Sequence, residues 1–249
     1  MGQHTTGCPR IAQRRRRSQR PQQEGSSCRS ICGCSQVGSV TSNPARFMGR
    51  NGPPGDLSQL PPRVLSAGTT LFRATDHNAG PWYYASQGTG RFDLPAPKGT
   101  CYSAFDHVTC VLEQLFPEVL DARGLPLEPA LLSGVHVYEF LTPAQLILAD
   151  LQTTAAATYG ASRELSTTSD YLVSQDWAAG LSVNFSGLAY APRCNPQPTA
   201  VGVAVFGPAG ADATWAPVAS TTGDDLGALL RSGGLPVAGP PSLDEMVLA

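Results

Sequence analysis

From residue 67 onward, short apolar runs separated by turn residues dominate the hydrophobic pattern of the chain. Runs of four to eight residues that are rich in apolar and aromatic side chains and bounded by Gly, Pro or Asp are typical of strands. They predict strands at residues 69–74, 82–84, 100–105, 134–141, 187–191 and 200–206.

Four other segments have the pattern of helices. Residues 106–115 begin with Asp106 as an N-cap and continue with an apolar face. This face is formed by Val108, Val111, Leu112 and Leu115. Pro117 marks the end of that helix. The segment Thr142-Pro143-Ala144-Gln145 has the form of a capping box and predicts a helix start. Thr168 or Ser169 caps a third helix through about Leu181, and residues 224–232 form a fourth.

These elements alternate without a regular strand–helix–strand order and without an internal repeat, which favours an α+β fold. The chain has 249 residues, enough for one sizeable core. We expect a single mixed domain at residues 67–232. A Pro/Gly-rich linker at 51–66 precedes it, and a disordered Pro/Gly-rich tail at 233–249 follows it.

Residues 1–50 differ from the rest, with nine Arg, no Lys and one acidic residue. No hydrophobic period runs through them, so we expect a disordered Arg/Cys-rich tail, with Met48 as an alternative start. There are two alternatives for this segment. One is a zinc site built on Cys28, Cys32 and Cys34 with His4 or Cys8. The other is an arginine-mediated contact with RNA or a membrane. No apolar segment follows the arginine run, which argues against an export signal.

Charge and cysteine content narrow the class of protein further. Outside the first fifty residues the chain carries eight Lys and Arg against eighteen Asp and Glu, which argues against a broad nucleic-acid surface. The sequence contains no window of eighteen consecutive apolar residues, so it predicts no membrane span. The odd number of seven cysteines and their unpaired spacing favour a reducing cytoplasm. We expect no metal site.

Between residues 73 and 113, polar side chains interrupt apolar segments. Arg73 and Tyr102 lie within predicted strands, Arg91 follows a Gly-Thr-Gly turn, and Glu113 lies beside the apolar face of the first helix. Each has an ordinary structural explanation: a solvated Glu, a packed Tyr, or an Arg paired with a carboxylate such as Asp93. The chain contains no Walker loop, no Gly-x-Gly-x-x-Gly and no Gly-x-Ser-x-Gly.

Taken in order, these positions resemble the RES domain family. The matching segments are Leu71-Phe72-Arg73, Gly90-Arg91-Phe92-Asp93, Gly99-Thr100-Cys101-Tyr102-Ser103-Ala104 and Leu112-Glu113. The resemblance implies a fold similar to ADP-ribosyltransferase toxins. It also implies consumption of NAD⁺ by phosphorolysis, hydrolysis or transfer to a protein, and an antitoxin partner of the Xre type.

The chemistry of NAD⁺ cleavage suits these residue types. The nicotinamide–ribose bond breaks through an oxocarbenium-like state, which the Glu113 carboxylate would stabilise. Nicotinamide departs neutral, so no general acid is required. Arg73 and Arg91 would bind the diphosphate, and Tyr102 would offer an aromatic face. We therefore expect Glu113, Arg91 and Tyr102 to be catalytic, Arg73, Arg91 and Tyr102 to bind substrate, and NAD⁺ to serve as substrate with no further cofactor.

One position departs from the family pattern. The family's serine falls in a segment that here reads Gly187-Leu188-Ala189-Tyr190-Ala191-Pro192-Arg193, with Pro192 in its place. Proline has neither a hydroxyl nor a backbone N–H, so the serine's hydrogen bond is lost unless Ser186 or Ser174 replaces it. The alternative function is therefore a catalytically impaired relative that still binds a nucleotide.

Overall fold

The computed structural model describes residues 52–76, 80–115, 119 and 123–239. The predicted tail at 1–50, with Met48 and the candidate zinc ligands, lies outside these residues, as do Pro117 and residues 240–249. Within the described residues, no helix has the length and apolar character needed to cross a membrane. The same residues contain no group of three His, Cys, Asp or Glu side chains that could hold a metal ion.

Most of the described chain is built around one large sheet. The strands are Pro62–Leu65 (β1), Thr70–Thr75 (β2), Tyr83–Tyr84 (β3), Lys98–Ala104 (β4), His136–Leu141 (β5), Leu146–Asp150 (β6), Gly187–Tyr190 (β7), Gly202–Pro208 (β8), Gly210–Ala211 (β9) and Pro217–Thr222 (β10). Eight of them form a sheet in the order β1-β6-β7-β8-β4-β2-β5-β10, while β3 pairs with β9. Only β6 and β7 are parallel neighbours; the other described pairs are antiparallel.

Helices pack on this sheet through apolar side chains. They are His107–Gln114 (α1), Glu164–Thr167 (α2), Tyr171–Leu181 (α3) and Gly223–Ser232 (α4), with 3₁₀ helices at Pro129–Leu132 and Thr154–Tyr159. Val111 of α1 and Leu230 of α4 share one core cluster, and Trp177 of α3 packs in another with Leu188 of β7. Helices on a mostly antiparallel sheet make an α+β fold, as the sequence predicts.

Several local predictions are confirmed. Asp106 caps α1, because its side chain accepts a hydrogen bond of 2.7 Å from the Thr109 N–H. Helix α3 exists, but its N-cap is Asp170, whose carboxylate accepts from the Leu172 N–H at 3.2 Å. The predicted cap Thr168 instead accepts from the Asp170 N–H at 3.0 Å and shapes the preceding turn.

The helix predicted from Thr142 is wrong. The following residues, Leu146–Asp150, form strand β6 between β1 and β7. The Thr142 hydroxyl accepts a hydrogen bond from the Thr69 N–H and donates one to the Ser66 carbonyl, so it ties two loops together. Two-sided strand pairing outweighs the local helix signal here, because it satisfies the backbone of β6 on both edges.

The domain extends at both ends into segments that the sequence assigns to a linker and a tail. Strand β1 falls inside the predicted linker at 51–66, where Leu60 is only 1% exposed. At the other end, Leu127 exchanges backbone hydrogen bonds with Pro236 and Ala238. The described start of the predicted tail therefore pairs with Leu127 and buries Val237, while most of its other residues are exposed. Strand β10 is polar and mostly exposed, so it has no hydrophobic alternation that would predict it.

Candidate active site

The large sheet opens between β2 and β4. These antiparallel strands are paired at Phe72 and Ala104. Beyond that position, Arg73 of β2 and both Tyr102 and Ser103 of β4 line a cleft of about 360 Å³. The Arg73 guanidinium spans the opening, since its Nη1 donates a hydrogen bond of 3.0 Å to the Tyr102 carbonyl.

All four residues predicted for the site line this cleft. Arg73 comes from β2, Arg91 from the loop between β3 and β4, Tyr102 from β4, and Glu113 from the last turn of α1. The fold thus brings together two guanidinium groups, one phenol and one carboxylate from four separate segments.

Tyr102 holds the loop that carries Arg91. Its hydroxyl accepts a hydrogen bond of 2.8 Å from the Phe92 N–H and donates one of 2.9 Å to Asp93. The other Asp93 oxygen accepts from the Gly90 N–H at 2.8 Å. A side chain at Gly90 would collide with the Asp93 carboxylate and the Tyr102 hydroxyl, which explains the glycine.

The ionisation of Tyr102 follows from its surroundings. Burial, and then the negative charge of Asp93, raise the pKa of Tyr102 well above its ordinary value. Its hydroxyl is therefore protonated at neutral pH and remains a donor to Asp93. In this arrangement the hydroxyl of Tyr102 positions the Arg91 loop, while the residue itself forms part of the cleft wall.

Arg91 contacts the start of helix α3. Its Nε and Nη2 donate hydrogen bonds of 3.4 and 3.3 Å to the Thr168 carbonyl. The guanidinium carbon lies 5.1 Å from the centroid of the Tyr171 ring, within cation–π distance. Arg91 and Tyr171 thus present a cation and an aromatic ring together at the cleft.

Glu113 links helix α1 to the loop after β7. Its Oε1 accepts a hydrogen bond of 3.0 Å from the Cys194 backbone N–H. Burial and the charge of Glu113 raise the pKa of both the Tyr190 hydroxyl and the Cys194 thiol. Both groups are neutral at pH 7 and lie beside the Glu113 carboxyl group at this end of the cleft.

A second pocket, of about 330 Å³, shares Tyr190 with the cleft. Its lining includes Arg63 and Asp150, which form an ion pair with an N–O distance of 2.9 Å, and Arg163. The lining of this second pocket contains none of the four residues predicted for the site, all of which lie on the cleft.

Comparisons with known proteins identify the family of this chain and a similar fold. The sequence profile of the RES domain matches residues 70–224, more than half of the chain. The chain belongs to the RES domain family. A chain in the crystal structure of the M. tuberculosis MbcT–MbcA toxin–antitoxin complex has a similar fold, with a TM-score of 0.50 and 15% sequence identity. The alignment covers 68% of this chain and 92% of that one. The comparison with curated proteins gave no match.

In this RES domain, Pro192 is buried just after β7 and is not among the residues that line the cleft. The hydroxyls considered as substitutes point elsewhere. Ser174 donates to the Leu165 carbonyl at 2.8 Å, and Ser186 accepts from the Ile147 N–H at 3.4 Å. Neither residue lines the cleft.

Three residues that line the cleft of this RES domain are not predicted as site residues by the sequence. Tyr171 carries no signal that distinguishes it from any other aromatic residue at a helix start. Tyr190 lies in the segment that contains Pro192, so the family pattern could have drawn attention to it. Ser103 directly follows Tyr102, but its place on the cleft depends on the opening between two strands, which no local pattern encodes.

Proposed function

We propose that this RES domain is an NAD⁺-consuming enzyme that cleaves the nicotinamide–ribose bond. The observation that carries the proposal is the convergence of Arg73, Arg91 and Glu113 in one cleft. Two guanidinium groups suit a diphosphate, and a single carboxylate suits a cationic sugar.

The proposed reaction needs few groups. The bond between the ribose C1′ and the nicotinamide nitrogen breaks, and its electron pair neutralises the pyridinium. The positive charge moves to the ribose, where the Glu113 carboxylate would stabilise it. An acceptor atom of phosphate, water or a protein side chain then bonds to C1′, and any proton on that atom passes to solvent. No acid is needed for the leaving group, which agrees with the hydrogen bonds that already occupy the Tyr102 hydroxyl.

The aromatic partner for nicotinamide is proposed to include Tyr171 as well as Tyr102. The Tyr171 ring lies against Arg91 at the cleft, whereas the Tyr102 hydroxyl is engaged in holding the Arg91 loop. Aromatic rings stack on flat heterocycles with a modest gain in free energy.

We further propose an antitoxin partner of the Xre type, since members of Xre–RES pairs resemble this chain and the structural neighbour comes from a toxin–antitoxin complex. Co-expression with a candidate Xre-type antitoxin should restore the growth of bacteria that produce this chain. If growth stays slow and the soluble antitoxin does not bind the chain, that result would argue against this antitoxin as a partner.

Expression of the full chain in bacteria tests the proposed activity. Growth should slow and cellular NAD⁺ should fall, and Arg73→Ala or Arg91→Ala should relieve both effects. Arg231→Ala, an exposed change on α4, is the matched control and should behave like the wild type. Toxicity with unchanged NAD⁺ would reject NAD⁺ consumption. Products formed by the purified chain with and without phosphate would identify the acceptor.

A further inference from the structure

Two polar atoms from opposite sides of the sheet opening have no hydrogen-bond partner among the described residues. They are the Oγ of Ser103 and the Nε of Arg73, and both atoms are buried. If β2 and β4 continued to pair beyond Phe72 and Ala104, Ser103 would lie opposite Arg73. The two unpartnered groups come from neighbouring strands, and both residues line the cleft.

An unpartnered buried hydroxyl is unusual. Most buried polar side chains have a partner, and leaving one without a partner lowers the stability of the folded state. Ser103 is only 6% exposed. By contrast, the buried hydroxyls of Ser166 and Ser174 donate to backbone carbonyls at 3.0 and 2.8 Å. Ser103 differs from these serines in lining the cleft.

We propose that Ser103 is a substrate-binding residue whose hydroxyl, together with the Nε–H of Arg73, donates to one oxygen of the substrate's diphosphate. This inference rests on the proposed function. Because Ser103 lines the cleft, rotation about its Cα–Cβ bond to another staggered rotamer would turn its buried hydroxyl toward a bound substrate. Arg73 Nη1 donates to the Tyr102 carbonyl, and the buried Nε of the same guanidinium has no hydrogen-bond partner among the described residues.

This assignment also gives the cleft a hydroxyl that Pro192 does not provide. Neither Ser174 nor Ser186 lines the cleft, whereas Ser103 does. A hydrogen bond to a charged oxygen strengthens binding by about tenfold or more.

Binding and stability measured together on the full chain test the proposal. ADP-ribose, which contains the diphosphate and does not react, is the probe, and nicotinamide riboside, which lacks phosphate, is the reference ligand. Ser103→Ala should weaken ADP-ribose binding about tenfold and leave nicotinamide riboside binding unchanged. Its Tm should stay level or rise, because the change removes a hydroxyl that has no partner.

Ser174→Ala is the matched control, a buried serine with a satisfied hydroxyl. It should lower Tm and leave ADP-ribose affinity unchanged. Equal affinity of Ser103→Ala and wild type for ADP-ribose would overturn the role of Ser103, and if the wild type still consumes NAD⁺ the proposed function survives. A folded wild-type chain that binds neither ADP-ribose nor NAD⁺ would overturn both.

Discussion

The carboxylate of Glu113 accepts a hydrogen bond of 3.0 Å from the backbone N–H of Cys194. This contact joins residues that are far apart in the sequence and ties the last turn of α1 to the loop that follows β7. Glu113 therefore has a structural partner in addition to its place in the cleft, and substitutions must separate these two roles.

Glu113→Ala should lower the free energy of unfolding by about 1 kcal/mol, because the partly buried Cys194 N–H loses its acceptor. Glu113→Gln should leave it close to the wild-type value, since an amide oxygen can still accept that hydrogen bond. Urea denaturation of the purified variants measures both. Glu128→Ala, an exposed change, is the control. Equal stability of the Ala and Gln variants at position 113 would show that the Cys194 contact does not stabilise the fold.

Tyr171 should contribute to ligand binding through its ring. Tyr171→Phe should bind ADP-ribose and NAD⁺ as tightly as the wild type, while Tyr171→Ala should weaken NAD⁺ binding by roughly three- to tenfold, the range expected for aromatic and cation–π contacts. Leu172→Ala, at the neighbouring residue, which is 71% exposed, is the control for changes at this helix start. Wild-type affinity in Tyr171→Ala would remove the ring from the site.

Pro192→Ser should change NAD⁺ turnover less than Ser103→Ala does, because Pro192 does not line the cleft. Initial rates of nicotinamide release from the two variants and the wild type make the comparison. A gain of tenfold or more in Pro192→Ser would instead show that the missing serine limits catalysis. That result would support the alternative of a catalytically impaired relative.

The contribution of the buried tyrosines to stability should fall as the pH rises above about 10, where tyrosines of the unfolded chain ionise. Burial raises the pKa of Tyr84 to about 12, and the pKa values of Tyr102 and Tyr190 are also raised. The folded state therefore retains protons that the unfolded state loses, so this contribution to stability is complete below pH 10 and declines above it. Urea denaturation between pH 8 and 11 measures the decline, and Tyr84→Phe should make it shallower. A stability that is constant or rises over this range would contradict the account.

Local signals were sufficient for much of the fold. The cap and apolar face of α1 are encoded within ten residues, and the strand at Thr70–Thr75 is a continuous β-prone run. Arg73, Arg91, Tyr102 and Glu113 could be selected from the family pattern, and the fold places all four on one cleft.

Non-local effects account for what the sequence did not predict. Strand β6 has a helix-like start signal but becomes a strand because β1 and β7 pair with it on both sides. The opening between β2 and β4 depends on where their pairing stops, which neither strand encodes alone. Tyr171 reaches the cleft because α3 packs against the sheet, so its position could not be deduced from its neighbours in sequence.

In the proposed reaction, Glu113 stabilises the positive charge that develops during cleavage of NAD⁺. Nicotinamide release from NAD⁺, followed by chromatography for the purified full chain and for its Glu113→Gln variant, measures this role of the carboxylate. The wild type should release nicotinamide, and the variant should do so about 10²-fold more slowly or worse with its fold unchanged. Equal rates in the two proteins, or no release by a folded wild type, would contradict the claim.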